Sequence, residues 1–220
     1  MISNLTPQQR SKLDPQDDSI FYSVPRFVTH VDEAFIRQLT QLYRDRLQPN
    51  TRILDLMSSW VSHLPPEMSF AQVEGLGLNA EELAKNPRLN HFIVQDLNQN
   101  TQLPYASGSF DAILIAVSVQ YLQQPEQVFS ELYRLLQPGG LVIVSFSNRM
   151  FYQKAIEAWR DGTERERVAL VKAYFRSVPG FTEPETIENL SHTPALLQLL
   201  GLGTGDPFYA VISGRSGDPH

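Results

Sequence analysis

Three apolar stretches of strand length decide the fold: TRILDLM at residues 51–57, SFDAILIAVSVQYL at residues 109–122 and PGGLVIVSFS at residues 138–147. Segments with helical periodicity lie between them, such as residues 125–136, where apolar side chains recur every three or four positions. Strands that alternate with amphipathic helices form a mostly parallel sheet covered on both faces. The sequence therefore predicts a doubly wound α/β domain, and ligands of such domains bind at the carboxyl ends of the strands.

The same patterns place further elements along the chain. Strands are predicted at residues 52–56, 72–78, 92–95, 112–117, 141–146, 186–190 and 208–212. The last of these is expected to run antiparallel at the edge of the sheet. Helices are predicted at residues 34–47, 125–136, 152–159, 164–175 and 195–200, and one more begins after Asn79. Gly139 and Gly140 are expected to end the helix at residues 125–136.

The length of 220 residues suits one domain, predicted at residues 21–213. A polar arm at residues 1–20 precedes it and contains Pro7 and Pro15. Such a segment has too few apolar residues to pack well, so we expect it to be mobile. Residues 214–220 are predicted to form a frayed tail.

The composition argues against several classes of function. The formal net charge is -6 and Lys and Arg do not cluster, so a nucleic-acid partner is not expected. There is no cysteine, and no two of the five histidines are three or four residues apart, so no metal site is expected. No apolar run reaches the ~18 residues of a membrane span, and no signal peptide is recognisable. A cytoplasmic protein is expected, and its oligomeric state is left open.

Four motifs follow one another between residues 51 and 147. They are Asp55 in the first strand, Gln95-Asp96-Leu97 after the third, Leu103-Pro104-Tyr105 with Ser109-Phe110-Asp111 before the fourth, and Leu136-Gln137-Pro138-Gly139-Gly140 before the fifth. In this order and spacing they resemble the class I S-adenosylmethionine-dependent methyltransferases, of the small-molecule, methyltransferase type 11-like kind. The resemblance implies a Rossmann-like fold, S-adenosylmethionine as cofactor and a small-molecule substrate.

The resemblance also implies roles for individual residues. Asp55 would help to hold the methionine amino group of the cofactor. Asp96 would meet the adenine amino group, and the backbone N–H of Leu97 would meet a ring nitrogen. Residues 21–27 lie where small-molecule members of the family keep a lid, and residues 148–150 follow the fifth strand on the substrate side.

Two positions depart from the family pattern. The family loop after the first strand reads D-x-G-x-G-x-G, because glycine lets the backbone approach the cofactor closely. Here Met57, Ser59 and Val61 stand at the three glycine positions. The family also ends its second strand with an acid that binds the ribose hydroxyls, and Gly77 stands there. Both departures fall at the cofactor site.

Two interpretations of the loop at residues 58–63 remain open. In one, the loop is adapted to the cofactor. Ser58, Ser59 and Ser62 then donate to the methionine carboxylate, Trp60 covers the sulfonium, and Asn79 reaches a ribose hydroxyl. In the other, the tryptophan packs against a helix and the serines satisfy turn backbone. Gly77 is included with the predicted cofactor-binding residues because it stands at the end of the second strand, where the family binds the ribose. Its contacts with the cofactor are left open.

A diagnostic catalytic triad is not expected, because a sulfonium already activates its methyl group and the protein needs only to orient the substrate and exclude water. His63 and Tyr121 are the candidate catalytic residues. The leading hypothesis is methyl transfer to a small molecule. A degenerate methyltransferase fold that acts as a binding module is the alternative. A nicotinamide-dependent oxidoreductase would need the same missing glycines and is the least favoured.

Overall fold

The computed structural model describes residues 5–189 and 205–217. Seven strands form one sheet: β1 (Arg52–Leu56), β2 (Gln72–Gly77), β3 (His91–Val94), β4 (Phe110–Ala116), β5 (Leu136–Phe146), β6 (Glu185–Asn189) and β7 (Phe208–Gly214). Six α-helices are described: α1 (Asp18–Phe21), α2 (Glu33–Arg46), α3 (Ala80–Lys85), α4 (Pro125–Leu135), α5 (Glu157–Arg160) and α6 (Glu164–Arg176). A short 3-10 helix, Val119–Tyr121, follows β4. The helix predicted at residues 195–200 lies outside the described residues.

The strand order is β3-β2-β1-β4-β5-β7-β6. The pairs from β3 to β5 are parallel, and β7 runs antiparallel to both β5 and β6. This confirms the predicted Rossmann-like, mostly parallel sheet with an antiparallel strand near the carboxyl terminus. The central position of β1 brings its carboxyl end beside those of β2 and β4, where a ligand of such a fold binds.

The prediction that residues 208–212 form the sheet edge is wrong. β6 pairs with β7, from Glu185 opposite Ile212 to Asn189 opposite Phe208, and so forms the edge itself. The side chains of β7 are buried on both faces from Phe208 to Ser213. A continuous apolar run of this kind is typical of an interior strand.

The prediction that Gly139 and Gly140 end a helix is also wrong. α4 ends one residue before Leu136, which is already extended, and β5 continues through both glycines. Gly139 has a φ of 83°, and the register of β5 against β4 shifts in this region. Glycine therefore serves here as an irregularity within a strand. Of the helix predicted at residues 152–159, only the part within α5 is helical.

The sheet separates two layers of core. Ile113 and Ile115 of β4 face a cluster that contains Phe129 of α4 and Phe175 of α6. Leu114 faces the opposite cluster, which contains side chains of α2. Alternate residues of a strand point to opposite faces, so one strand supports both layers. Within the described residues, no helix has the length and apolar character that a membrane crossing requires.

The N-terminal arm, residues 5–19 in the described structure, lies against the domain. Arg10 donates two hydrogen bonds to the carboxylate of Glu126, at 2.8 and 2.7 Å. The N–H of Glu157 donates to the carbonyl of Ser11 at 2.9 Å. These contacts pair polar groups of the arm with α4 and α5, and the mobility of the arm stays a prediction.

The layered core predicts different costs for two strand substitutions. Leu114→Ala removes a fully buried side chain from the middle of β4 and should lower the free energy of unfolding by about 2–5 kcal/mol. The control Val94→Ala, at the 50% exposed end of the edge strand β3, should change it by no more than ~0.5 kcal/mol. Urea unfolding measures both variants, and similar losses would contradict the described burial.

Candidate functional site

A cavity of about 340 Å³ opens at the carboxyl ends of β1 to β4. The N-terminal segment, residues 18–31, forms part of its opposite wall. All nine residues predicted for the site line this cavity: Asp55, Ser58, Ser59, His63, Gly77, Asn79, Asp96, Leu97 and Tyr121. Parallel strands bring them together, because the loops that follow neighbouring strands emerge on the same side of the sheet. Their individual roles stay predictions.

Asp55 is a buried carboxylate in the second-to-last position of β1. The hydroxyls of Ser58 and Ser62 each donate to its Oδ2 at 2.6 Å. Burial raises the pKa of Asp55 to about 6, and the two hydrogen bonds oppose that rise only in part. Its Oδ1 accepts no hydrogen bond from the described residues. The carboxylate is therefore suited to a positively charged group that approaches from the cavity.

The other polar side chains of the loop are also bonded to the protein. The Ser59 hydroxyl donates to Oε2 of Glu82 at 2.6 Å, and Oε1 of the same buried carboxylate accepts from the backbone N–H of Arg26. Asn86 Nδ2 donates to the Ser59 carbonyl at 2.9 Å and to the Ser62 hydroxyl at 2.8 Å. The serine protons thus go mainly to carboxylates of the protein, and both interpretations of the loop stay predictions.

Asn79 and Trp60 are held in a similar way. Asn79 Oδ1 caps α3, and its Nδ2 donates to the carbonyl of Tyr22 at 2.8 Å. Trp60 Nε1 donates to the carbonyl of Val28 at 3.1 Å. Both side chains line the cavity and join it to the N-terminal segment. Their ligand contacts remain predictions.

Three residues of the cavity wall adopt the left-handed backbone conformation without being glycine. They are Met57 (φ 56°), His63 (φ 54°) and Val117 (φ 52°). This conformation costs roughly 1–2 kcal/mol for an ordinary L-residue. Met57 stands where the family pattern has its first glycine, the residue that adopts this conformation most readily. Strain of this kind is concentrated at functional sites.

Gly77 allows the loop to lie against β2. A Cβ at this position would stand 2.3 Å from the carbonyl oxygen of Ser58, and the Ser58 N–H donates to the Leu76 carbonyl at 2.7 Å. No larger residue fits without movement of the backbone. The loop therefore gives a steric reason why the acid expected at the end of β2 is absent.

The loop after β3 presents an acid and a free backbone donor. Asp96 Oδ1 accepts from the N–H of Asn98 at 2.8 Å, while Oδ2 is buried without a hydrogen-bond partner in the described structure. Burial raises the pKa of Asp96 above its ordinary value. The N–H of Leu97 donates to no described protein group. An acceptor and a donor are thus available side by side.

Aromatic rings form the wall of the cavity beyond β4. The ring of Phe151 lies 5.2 Å from that of His30 and 6.1 Å from those of Tyr22 and Tyr121. The Phe151 N–H donates to the Tyr121 hydroxyl at 2.9 Å, which fixes the two rings relative to each other. We call these four side chains the aromatic chamber. The Arg26 guanidinium lies over Phe151, 5.4 Å from its centroid.

Sequence reasoning missed several of these residues. His30, Glu82 and Phe151 come from separate segments, and each looks ordinary in its own context. The aromatic residues near position 21 gave the clearest available signal, since they suggested a lid. The part of the chain that the structure describes contains no group of three or more potential metal ligands.

Comparisons with known proteins agree with this geometry. Residues 60–144 match the family model described as a methyltransferase domain. The norajmaline N-methyltransferase of Rauvolfia serpentina is 26% identical over 129 residues, which is 54% of this chain and 43% of that protein. The curated relatives are matched over less than half of their own length.

Two solved structures share the fold at low sequence identity. The [4+2]-cyclase SpnF matches with a TM-score of 0.58 and 17% identity over 82% of this chain and 80% of that one. An S-adenosylmethionine-dependent methyltransferase from Mesorhizobium loti matches with a TM-score of 0.53 and 19% identity over 80% of this chain and 96% of that one. Likeness at this level of identity shows the fold alone.

The buried carboxylate of Asp55 predicts a pH dependence of stability. Its pKa is 3.8 ordinarily and about 6 in the fold, so between these values the native state holds a proton that the unfolded chain releases. The contribution of this group to stability therefore falls as the pH rises. The free energy of unfolding of the wild type, relative to Asp55→Asn, should drop by about 2 kcal/mol from about pH 4 to about pH 7. Denaturant unfolding across this range tests it, and a constant difference would contradict the described environment.

Gly77 and Gly75 form a matched pair in β2. Gly77→Ala should destabilise the protein by about 1–3 kcal/mol, because its Cβ meets a backbone oxygen at 2.3 Å. A Cβ at Gly75 would meet Cδ1 of Leu89 at 2.4 Å, the end of a flexible side chain that can move. Gly75→Ala should therefore cost less than half as much in urea unfolding. Equal losses would show that the Ser58 carbonyl does not restrict position 77.

Proposed function

We propose that this chain, which belongs to the class I S-adenosylmethionine-dependent methyltransferases, transfers a methyl group from that cofactor to a small molecule. The observation that carries the proposal is the strand-end cavity, whose wall includes Asp55 near the end of β1 and Asp96 after β3. Bound S-adenosylmethionine supplies an activated methyl group on a sulfonium.

The residues at the end of β3 suit an adenine ring. Asp96 Oδ2 is a buried acceptor without a partner, and an exocyclic amino group would satisfy it. The neighbouring N–H of Leu97 would donate to a ring nitrogen. The edge of adenine carries an amino group that donates and a ring nitrogen that accepts. Asp96 and the Leu97 N–H together would therefore recognise this edge.

The residues at the end of β1 suit the methionine part. Oδ1 of Asp55 would accept from the methionine ammonium, whose charge would compensate the burial of the carboxylate. Ser58 and Ser59 border this position, and we propose that they hold the loop in place by their bonds to Asp55 and Glu82. Gly77 provides the close approach of the loop, and Asn79 orients α3 beside the ribose.

We assign the aromatic chamber to the substrate. Its rings stack against flat or apolar groups and exclude water from the reacting atoms. His30 faces Phe151 across the chamber, and burial lowers its pKa, so its imidazole is neutral near pH 7. A neutral imidazole at this place would accept a proton from a hydroxyl or ammonium of the substrate. His63 also has a lowered pKa and lines the cavity, whereas Tyr121 positions Phe151.

The charge of the chain supports a small-molecule substrate over a nucleic acid. A formal net charge of -6 repels a polyanion, and phosphate contacts need clustered cations. The lack of cysteine fits a reducing compartment, and we propose the cytoplasm as the location.

The proposal is tested first by binding. Isothermal titration with S-adenosylmethionine should give saturable binding, and Asp96→Ala should weaken it by about 1–3 kcal/mol, the range for a hydrogen bond to a charged group. The control Asp111→Ala removes an acid at the opposite end of the sheet, where it accepts from the Arg52 N–H at 2.8 Å, and should leave the affinity unchanged.

Catalysis is tested next. Incubation with S-adenosylmethionine and a panel of aromatic amines, phenols and quinols should release S-adenosylhomocysteine with at least one member. If the protein binds neither the cofactor nor its demethylated product, the degenerate-fold alternative replaces the proposed function.

A further inference from the structure

Asn98 donates hydrogen bonds to two acids from separate segments, Asp18 of α1 and Asp96 of the loop after β3. Its backbone N–H donates to Asp96 Oδ1 at 2.8 Å, and its side-chain Nδ2 donates to Asp18 Oδ2 at 3.0 Å. Asp18 begins α1 in the N-terminal segment, is only 6% exposed and lines the cavity. One residue thus fixes the two carboxylates beside each other.

Each of these carboxylates keeps one oxygen without a hydrogen bond. Asp18 Oδ1 and Asp96 Oδ2 are both buried and have no hydrogen-bond partner within the described structure. Buried acceptors of this kind are rare, because an unmade hydrogen bond costs free energy. Two such oxygens beside one cavity point to a ligand that brings two donors.

Two lysines with buried side chains compensate the negative charge of Asp18. Lys12 Nζ is hydrogen-bonded to Asp18 Oδ2, and Lys154 Nζ lies 3.4 Å from Asp18 Oδ1 as an ion-pair contact. Lys154 is completely buried and donates to the carbonyl of Gln16 at 2.8 Å. These positive charges offset the repulsion between the neighbouring carboxylates of Asp18 and Asp96.

We propose that the N-terminal segment supplies a second acid to the adenine site, so that Asp18 Oδ1 and Asp96 Oδ2 each accept one N–H of the exocyclic amino group. This inference rests on the proposed function. An amino group has two N–H donors, and they match in number the two oxygens that accept no hydrogen bond, of which Asp18 Oδ1 also lies 3.4 Å from Lys154 Nζ. A 6-oxo base carries a carbonyl oxygen at this position, which donates no hydrogen bond. This oxygen would face the two carboxylates and be repelled by them. Asp18 is therefore a specificity residue for the adenosyl cofactor.

The arrangement also links the arm to the ligand. Asp18 lies in the arm, which is hydrogen-bonded to the domain. The Asp14 N–H donates to the Gln153 carbonyl at 3.0 Å, and the Ala158 N–H donates to the Gln9 carbonyl at 3.0 Å. A ligand that binds only to the docked arm stabilises docking by mass action. Adenosyl ligands should therefore protect these arm contacts.

The test compares S-adenosylhomocysteine with its 6-oxo analogue, S-inosylhomocysteine, by isothermal titration. The wild type should prefer the adenosyl compound, and Asp18→Asn should reduce the ratio of the two affinities at least about tenfold. The control Asp14→Asn alters another carboxylate paired with Lys154, outside the cavity, and should keep the wild-type ratio within about twofold. An unchanged ratio in Asp18→Asn overturns the inference, while absence of adenosyl binding in the wild type overturns the proposed function.

A second measurement uses only the wild type, in case Asp18→Asn fails to fold. Hydrogen exchange of the amides of Asp14, Glu157 and Ala158, all of which bond between the arm and the domain, should slow at least about fivefold with S-adenosylhomocysteine. The 6-oxo analogue at equal occupancy should slow it less. Equal protection by both compounds would show that the arm does not sense the amino group.

Discussion

The close approach of the Ser58 carbonyl to Gly77 is the constraint on which the cavity depends. The loop after β1 turns through the left-handed conformation of Met57 and then lies directly against the last residue of β2. This path brings the hydroxyls of Ser58 and Ser62 into hydrogen-bond contact with the carboxylate of Asp55. In the family pattern, glycines in the loop provide closeness to the ligand. In this chain, the glycine lies in the strand, and the loop is fastened by hydroxyls that donate to Asp55 and Glu82.

The cavity wall contains three buried acids, Asp18, Asp55 and Glu82, each less than 9% exposed. The charge of Asp18 is compensated by two lysines, and that of Asp55 by two serine hydroxyls. Glu82 accepts from one serine hydroxyl and one backbone N–H. Only Asp55 lacks both a cation and a backbone donor, and its pKa is correspondingly raised by burial. A ligand with an ammonium at one end and a neutral base at the other complements this distribution of charge.

The acids of the site that follow strands could be predicted from the sequence, and those that depend on tertiary contacts could not. Asp55 and Asp96 stand at the ends of apolar runs, so the parallel arrangement alone brings them together. Asp18 belongs to a segment that lacks periodicity, and its position is set by Lys154 and Asn98, more than 75 residues away. The direction in which the serines donate was likewise invisible, because a polar loop sequence does not reveal which acceptor lies closest. Gly139 was misread because a glycine after a helical pattern usually ends the helix, whereas here it lies within a strand.

The docked N-terminal arm has a consequence for the order of assembly during synthesis. The arm precedes its partners in the sequence, and Glu126, Gln153 and Glu157 are made more than 100 residues after it. At ordinary elongation rates of about 5–20 residues per second, the arm waits several seconds before its binding surface exists. Contacts of such large sequence separation also form late in folding, because closing the long loop costs entropy. The cavity is therefore completed by a segment that is made before its partners and is one of the last to find its place.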